Sequence, residues 1–220
     1  MNLNKIIQIK EDSHCLEAIH ALPTTADGSG LIILHEIFGL TPFITNVCNY
    51  WSKRGYSVIA PALYDRYDKH VNIPYDEHGY KKALDYKQRV LNWDKQLLDV
   101  AAAQNFLLRK NLKKIHIIGF SWGGTLAWLS AARLEKISSI VAYYGTHFFN
   151  FKDERPKSPV LLHFADFDEL ISLENFKQVQ ISNPAINFIK YPVGHGFCCP
   201  FWKEYNTKYA AIADKETENL

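Results

Sequence analysis

The sequence is organised around the segment Ile115-His116-Ile117-Ile118-Gly119-Phe120-Ser121-Trp122-Gly123-Gly124-Thr125-Leu126-Ala127. A short β-branched run ends at Gly119, and an alanine-rich helical pattern follows the serine. This G-x-S-x-G pattern predicts a tight turn between a strand and a helix, in which glycines leave room for a backbone conformation that exposes the serine hydroxyl. Unpaired N–H groups at the start of the helix favour negative charge beside that hydroxyl. Ser121 is therefore a candidate nucleophile, and the N–H of Trp122 is a candidate oxyanion donor.

Two nucleotide-binding interpretations of these glycines fail on residue identity. A G-x-G-x-x-G loop needs glycine where Ser121 stands, and Gly124-Thr125 lacks the lysine of a P-loop. The remaining alternative is purely structural, a tight strand-to-helix turn that carries a solvated serine.

Hydrophobic patterning on both sides of the segment predicts alternating strands and helices. Short runs that are apolar on consecutive residues are typical of strands covered on both faces. The sequence therefore predicts an α/β fold of the α/β-hydrolase type in one domain, residues 1–220, with a mostly parallel sheet and helices on both faces. An antiparallel hairpin of 5–10 and 15–21 precedes strands at 31–35, 56–61, 115–119, 137–143, 159–164 and 185–191. Helices are predicted from Pro42 to Gly55, over 81–110 with a break at Asn92, directly after Ser121, over 173–181 and over 202–220, with a polar loop at 64–80.

The chain order of three polar residues fits nucleophilic catalysis. A neutral serine hydroxyl needs a general base, and that base needs an acid to orient it. Asp168 follows the 159–164 strand and His195 follows the 185–191 strand, which gives the order Ser, Asp, His found in α/β-hydrolases. We prefer Asp168 to Asp166 because the apolar Ile171, three positions on, can pack that loop under the sheet, whereas Asp166 fits a turn.

Composition excludes several classes of partner. A net charge of +2, from 25 basic and 23 acidic residues, does not indicate a basic surface for binding nucleic acid. No early apolar run is long enough for a signal core or a membrane span, so we expect a cytoplasmic protein without a membrane partner. Four irregularly spaced cysteines predict neither a disulfide framework nor a zinc site: Cys15, Cys48, Cys198 and Cys199.

Two other functions stay open on the sequence. A metal-dependent hydrolase is the alternative enzyme, because histidines and carboxylates lie near predicted strand ends, although no H-E-x-x-H spacing fixes two ligands on one element. A scaffold that keeps the fold and binds a ligand without turnover is the non-enzyme alternative. The candidate metal ligands are His35, Glu36, His163, Asp166, Asp168 and His195.

Four segments resemble the dienelactone hydrolase family: 35–40 (H-E-I-F-G-L), 55–64 (G-Y-S-V-I-A-P-A-L-Y), 119–124 (G-F-S-W-G-G) and 142–145 (A-Y-Y-G). The resemblance implies a monomeric hydrolase of ester or lactone bonds that uses no metal or other cofactor. It also implies that Glu36 takes part in activating the nucleophile, and that the N–H of Ile37 joins that of Trp122 in the oxyanion hole.

The sequence departs from this family at the nucleophile, which is usually cysteine, so that Ser121 is either a natural serine version or a substitution. An arginine that helps to hold the substrate carboxylate in well-known members is replaced by Cys199, and a second arginine has only Lys81 and Lys82 nearby. These departures make dienelactone itself a poor candidate substrate. Aromatic residues near the strand ends are predicted to line the substrate pocket: Tyr144, Phe148 and Phe197, with Trp122.

Overall fold

The computed structural model describes the backbone of residues 3–9 and 11–219 and the side chains of 5–9 and 11–219. Lys10 and Leu220, the last residues of the predicted first strand and last helix, lie outside that part, as do Met1 and Asn2. The strands are β1 Leu3–Gln8, β2 Cys15–Ala21, β3 Ser29–Leu34, β4 Ser57–Pro61, β5 Lys114–Phe120, β6 Ser139–Tyr143, β7 Val160–Ala165 and β8 Asn187–Tyr191. The helices are α1 Pro42–Ser52, α2 Glu77–Val90, α3 Trp93–Leu108, α4 Trp122–Arg133, α5 Leu173–Ser182 and α6 Thr207–Glu218.

All eight strands form one sheet in the order β1-β2-β4-β3-β5-β6-β7-β8. The hairpin β1-β2 is antiparallel and joins β4 antiparallel, whereas the pairs from β4 through β8 are parallel. The predicted, mostly parallel α/β sheet is therefore confirmed. Parallel strands place their carboxyl ends at one edge, so the loops that follow β3, β5, β7 and β8 lie together.

Helices cover both faces of the sheet, as predicted, because each face carries its own apolar cluster. Trp51 of α1 and Ala213 of α6 pack on one face. Val100 of α3, Trp128 of α4 and Phe176 of α5 pack on the other. Burial on both faces explains why the central strands contain apolar residues at consecutive positions.

Helix boundaries differ from the predicted ones where a side chain caps a helix. The last helix begins at Thr207 rather than at 202, because the Asn206 side chain accepts from the N–H of Tyr209. The long helical region starts earlier, at Glu77, where Asp76 accepts from Gly79. Its predicted break is confirmed, since Asn92 caps α3. The early start of α2 carries the end of the 64–80 stretch to the edge where the strands end.

Candidate active site

Ser121 lies at the sharp turn between β5 and α4, with φ 52° and ψ −115°. Two glycines allow this turn. A Cβ on Gly119 would come within 2.1 Å of the Gly123 carbonyl oxygen, and a Cβ on Gly123 within 2.3 Å of the Leu34 carbonyl oxygen. The Ser121 N–H donates to the Tyr143 carbonyl at 2.9 Å, which ties the turn to β6. The strained residue is therefore held from both sides, and its hydroxyl faces the edge of the sheet.

His195 and Asp168 approach Ser121 from two other loops. The Ser121 hydroxyl lies 2.9 Å from Nε2 of His195, and Nδ1 of His195 lies 2.7 Å from Oδ2 of Asp168. A carboxylate can only accept, so Nδ1 carries the proton and Nε2 is left to accept from the hydroxyl. The other carboxylate oxygen of Asp168 accepts from the Leu170 N–H at 2.8 Å, which fixes the carboxylate plane.

Backbone contacts hold these two loops against each other. The N–H of Phe167 donates to the Val193 carbonyl at 3.0 Å, so the residue before Asp168 is joined to the loop that carries His195. The ring of Tyr144 stands edge-on to the imidazole, with centroids 4.9 Å apart. Asp166 instead lies 3.2 Å from the Lys190 ammonium. Asp168 and not Asp166 is thus the carboxylate that the fold brings to His195.

Glu36 follows β3 and is 4% exposed. The Tyr75 hydroxyl donates to Oε1 of Glu36 at 2.7 Å. Burial raises the pKa of Glu36, and this rise is opposed by the Tyr75 hydrogen bond, by the nearby His195 and by a hydrogen bond with the Cys199 thiol. The hydroxyls of Tyr75 and Thr41 are 2.9 Å apart; since the Tyr75 proton is directed to Glu36, Thr41 donates to Tyr75. Tyr75, which the sequence analysis missed, is the main partner of this carboxyl group.

The N–H groups of Ile37 and Trp122 have no hydrogen-bond partner among the residues that the structure describes. Ile37 is anchored through its carbonyl oxygen, which accepts from the Tyr64 hydroxyl at 2.7 Å. The Tyr64 ring stacks on the Trp122 indole at a centroid distance of 5.3 Å. Both predicted oxyanion donors are therefore free, and one buried tyrosine contacts the residues that carry them. Tyr64 is the last residue of the 55–64 segment that resembles the family, but nothing in the sequence assigned it this contact.

A cavity of about 830 Å³ opens over Ser121 and His195. The residues predicted to contact substrate are buried and do not line this cavity. Tyr144 packs behind the imidazole, and Phe197 packs 5.1 Å from Tyr191. Phe148 lies between Trp128 and Phe164 under the opposite face of the sheet. This is a correction to the predicted pocket; the aromatic residues that do line the cavity are Phe38, Tyr75, Tyr80, Phe167, Trp202 and Tyr205.

Those lining residues were missed for an identifiable reason. Tyr75 and Tyr80 belong to the 64–80 stretch, which has no hydrophobic periodicity. Trp202 falls at the start of the predicted last helix, whereas the observed helix α6 begins after it. The available signal was the presence of aromatic rings in an irregular segment after a strand, because binding residues concentrate on such loops.

Among the described residues, the candidate metal ligands do not form a metal-binding group, although His195 contacts Asp168. His35 uses Nδ1 on the Glu36 carbonyl and Nε2 on the Leu63 N–H. His163 uses both ring nitrogens on the hydroxyls of Tyr191 and Thr217. In residues 5–9 and 11–219, no three side chains of His, Cys, Asp or Glu are grouped so as to hold a metal ion. Within the same residues, no helix is both long enough and apolar enough to cross a membrane.

Comparisons with known proteins show what the chain is similar to. The model of the dienelactone hydrolase family matches residues 16–220. The "putative carboxymethylenebutenolidase" of Escherichia coli O157:H7 is 28% identical over 215 residues, covering 89% of this chain and 78% of the relative. The carboxymethylenebutenolidase of Pseudomonas putida is 25% identical over 213 residues, covering 93% of this chain and 89% of the relative. A crystal structure named "putative dienelactone hydrolase", from Klebsiella pneumoniae subsp. pneumoniae MGH 78578, aligns with a TM-score of 0.85 at 23% identity, covering 100% of this chain and 98% of that chain.

Proposed function

The chain belongs to the dienelactone hydrolase family, and we propose that this hydrolase cleaves ester or lactone bonds with Ser121 as nucleophile, His195 as general base and Asp168 as orienting acid. One observation carries the proposal: the unbroken chain of hydrogen bonds from Ser121 Oγ to His195 at 2.9 Å and from His195 to Asp168 at 2.7 Å. The relatives' name denotes the hydrolysis of a butenolide that bears a carboxyl group, so lactones fall within the proposed range.

In the first half of the reaction, Ser121 Oγ attacks the carbonyl carbon while its proton moves to Nε2 of His195. The carbonyl π electrons move onto oxygen, and the N–H groups of Ile37 and Trp122 bind that oxyanion. Each such donor lowers the barrier by about 3 kcal/mol in enzymes where one has been removed. When the tetrahedral intermediate collapses, the bond to the leaving oxygen breaks and His195 returns the proton to it.

Water completes the cycle on the acyl-enzyme. His195 now takes a proton from water, the hydroxide oxygen bonds to the acyl carbon, and the bond to Ser121 Oγ breaks as the serine recovers the proton. The charged Asp168 stabilises the imidazolium that forms in both halves. A lactone substrate would follow the same steps and leave as one hydroxy acid.

Glu36 adds a second negative charge near the imidazole. The attraction to His195 is one of the effects that lower the pKa of Glu36, so a charged Glu36 lies where it can stabilise the positive charge that the imidazole gains during the reaction. We assign Glu36 the role of assisting nucleophile activation through this charge. Replacement Glu36→Gln keeps the shape and removes the charge, and it is expected to lower kcat.

The test is hydrolysis of p-nitrophenyl butyrate by the unsubstituted protein and by Ser121→Ala. Removing the nucleophile should lower kcat by about 10⁴-fold or more. Full activity in Ser121→Ala would refute the mechanism. A fluorophosphonate probe should label the folded protein at Ser121, and absence of labelling would favour the non-catalytic scaffold.

Two further measurements separate the alternatives. Activity that persists in the presence of a chelator would exclude a metal-dependent hydrolase. Loss of activity that is reversed by adding a divalent ion would support one. Ser121→Cys tests which nucleophile the site suits: higher activity in the cysteine variant would indicate a site shaped for a thiolate, because a thiol ionises far more readily than a hydroxyl.

A further inference from the structure

The cavity over Ser121 has an aromatic wall. Phe38 packs on Tyr75 with ring centroids 4.3 Å apart and on Trp202 at 5.6 Å. Tyr80 lies 5.5 Å from Trp202, so that the four rings form one continuous surface. All four line the cavity. The faces of tyrosine and tryptophan rings carry negative quadrupole charge, which attracts alkylammonium groups as well as apolar ones.

The charged residues around the same cavity are mostly acidic. Outside the catalytic group, the described lining residues include one lysine or arginine, Lys203, and four carboxylates: Asp76, Glu77, Glu169 and Glu204. The Lys203 ammonium lies 3.8 Å from Glu204, so it is already shared with a carboxylate.

The other carboxylates have little compensation. Glu77 pairs with Lys81 at 2.7 Å, but both side chains are more than two-thirds exposed, where ion pairs are weak. Glu169 has no ion-pair partner among the described residues. Glu204 lies close to the reaction centre, because a Cβ on Gly194, the neighbour of His195, would meet its Oε2 at 2.7 Å.

We propose that the cavity selects substrates by charge: it prefers esters whose non-reacting group is a cationic alkylammonium, accepts uncharged esters, and disfavours those that carry a carboxylate. The inference rests on the proposed function, since it concerns the cavity at Ser121. An aromatic surface binds the alkylammonium methyl groups, and the acidic rim attracts the charge over a Debye length of about 8 Å at physiological salt. The same carboxylates would repel a substrate carboxylate, and Lys203 is the one lysine or arginine among the described lining residues that could offset this repulsion.

The test uses three p-nitrophenyl esters of matched shape. The acyl groups are 4-(trimethylammonio)butyryl, its uncharged isostere 5,5-dimethylhexanoyl, and glutaryl, which ends in a carboxylate. At low salt, kcat/KM for the cationic ester should exceed that for the anionic ester by about tenfold, because a few partly screened charges each contribute about twofold and the two substrates differ in sign. The ratio should fall toward one in 0.5 M NaCl, on the order of the salt at which such fields are screened.

Variants identify the groups responsible. The double replacement Glu77→Gln/Glu169→Gln should lower the cationic-to-anionic ratio at least about threefold at low salt. Trp202→Leu should lower the cationic-to-uncharged ratio while the anionic-to-uncharged ratio stays constant. The control for a loss of exposed negative charge is Glu135→Gln, which removes one such charge where the double variant removes two, and which lies after α4, at the opposite edge of the sheet. It should leave every ratio unchanged.

The outcomes separate this inference from the proposed function. If the three esters are hydrolysed with equal rates, or the anionic one fastest, the charge preference is refuted and the hydrolase mechanism stands. If none is hydrolysed, the mechanism is in question, and the inference is judged by binding to Ser121→Ala in a calorimeter. Hexyltrimethylammonium should then bind at least about threefold more tightly than heptanoate, and the reverse order would overturn the inference.

Discussion

The Nδ1 atom of His35 lies 2.6 Å from the carbonyl oxygen of Glu36, in the peptide unit whose N–H belongs to Ile37. That peptide bond is trans, so its carbonyl and its N–H point in opposite directions. The Leu63 N–H donates to Nε2 of His35 at 3.1 Å, which places the ring proton on Nδ1. Burial lowers the pKa of His35 to about 4, so the ring is neutral at pH 7. His35 thus holds the peptide whose N–H we assign to the oxyanion hole.

Loss of the His35 donor should reduce turnover rather than substrate binding. We expect His35→Leu to lower kcat about 10- to 100-fold with little change in KM, because an oxyanion forms only after attack and one complete donor is worth about 10²–10³ in kcat. His35→Asn, which can keep a donor near the Nδ1 position, should recover part of the loss. An unchanged kcat in folded His35→Leu, measured with p-nitrophenyl butyrate, would contradict this role.

Removal of the Tyr75 hydroxyl should shift the acidic limb of the pH–rate profile to higher pH. The hydrogen bond from Tyr75 lowers the pKa of Glu36, so in Tyr75→Phe that pKa rises and the ionised form appears only at higher pH. The measurement is kcat/KM between about pH 4 and about pH 8, a range that starts near the ordinary pKa of a glutamate and extends above it.

Thr41→Val is the matched control for Tyr75, because it removes the hydroxyl that donates to Tyr75 without touching Glu36. In Thr41→Val, the acidic limb of the pH–rate profile should shift in the same direction as in Tyr75→Phe, but by less. If the limb stays in place in Tyr75→Phe, then ionised Glu36 does not contribute to the rate.

The turn at Ser121 should tolerate a methyl group at one glycine better than at its neighbour. A Cβ on Gly123 would lie 2.3 Å from the Leu34 carbonyl oxygen, which belongs to a buried strand. A Cβ on Gly124 meets its nearest atom, the Tyr143 carbonyl oxygen, at 3.0 Å. We expect Gly123→Ala to reduce the free energy of unfolding by about 3 kcal/mol and Gly124→Ala by about 1 kcal/mol, measured by urea denaturation. Equal losses would mean that β3 and α4 can move apart.

Acidification should destabilise the protein partly through His163. Burial lowers the pKa of this fully buried histidine to about 3. Between that value and the ordinary pKa near 6.5, only the unfolded state binds the proton, so stability rises with pH in this window and falls as pH is lowered. From pH 7 to pH 4.5 the loss from this residue is about 2 kcal/mol.

The measurement is the free energy of unfolding at about pH 7 and at about pH 4.5. It is compared between the unsubstituted protein and His163→Gln, whose amide can still form hydrogen bonds with Tyr191 and Thr217. The variant should lose about 2 kcal/mol less over the same pH interval. Other titrating groups, including Asp99, whose pKa burial raises to about 7, are common to both proteins and cancel. Parallel stability curves would show that His163 is protonated in the folded state.

Local sequence patterns were sufficient to predict the sheet, the break at Asn92 and the chain order of Ser121, Asp168 and His195. The reason is that consecutive apolar residues, capping side chains and a glycine-flanked turn all act within a few positions of the chain. Local patterns were not sufficient to predict which residues line the cavity. Aromatic residues after a strand can face the core or the ligand, and the direction depends on which loops pack over them. Tyr144, Phe148 and Phe197 face inward, while Tyr75, Tyr80 and Trp202 line the cavity.

The sequence by itself determined the layers of the fold and the residues that the carboxyl edge of the sheet can offer for chemistry, since parallel strands must end side by side. The tertiary structure alone decided which of them touch. The hydrogen bond from Tyr75 to Glu36 joins residues 39 positions apart, and the one from Ser121 to His195 joins residues 74 positions apart. Such pairings depend on how whole elements pack, and no short-range preference of the chain encodes them.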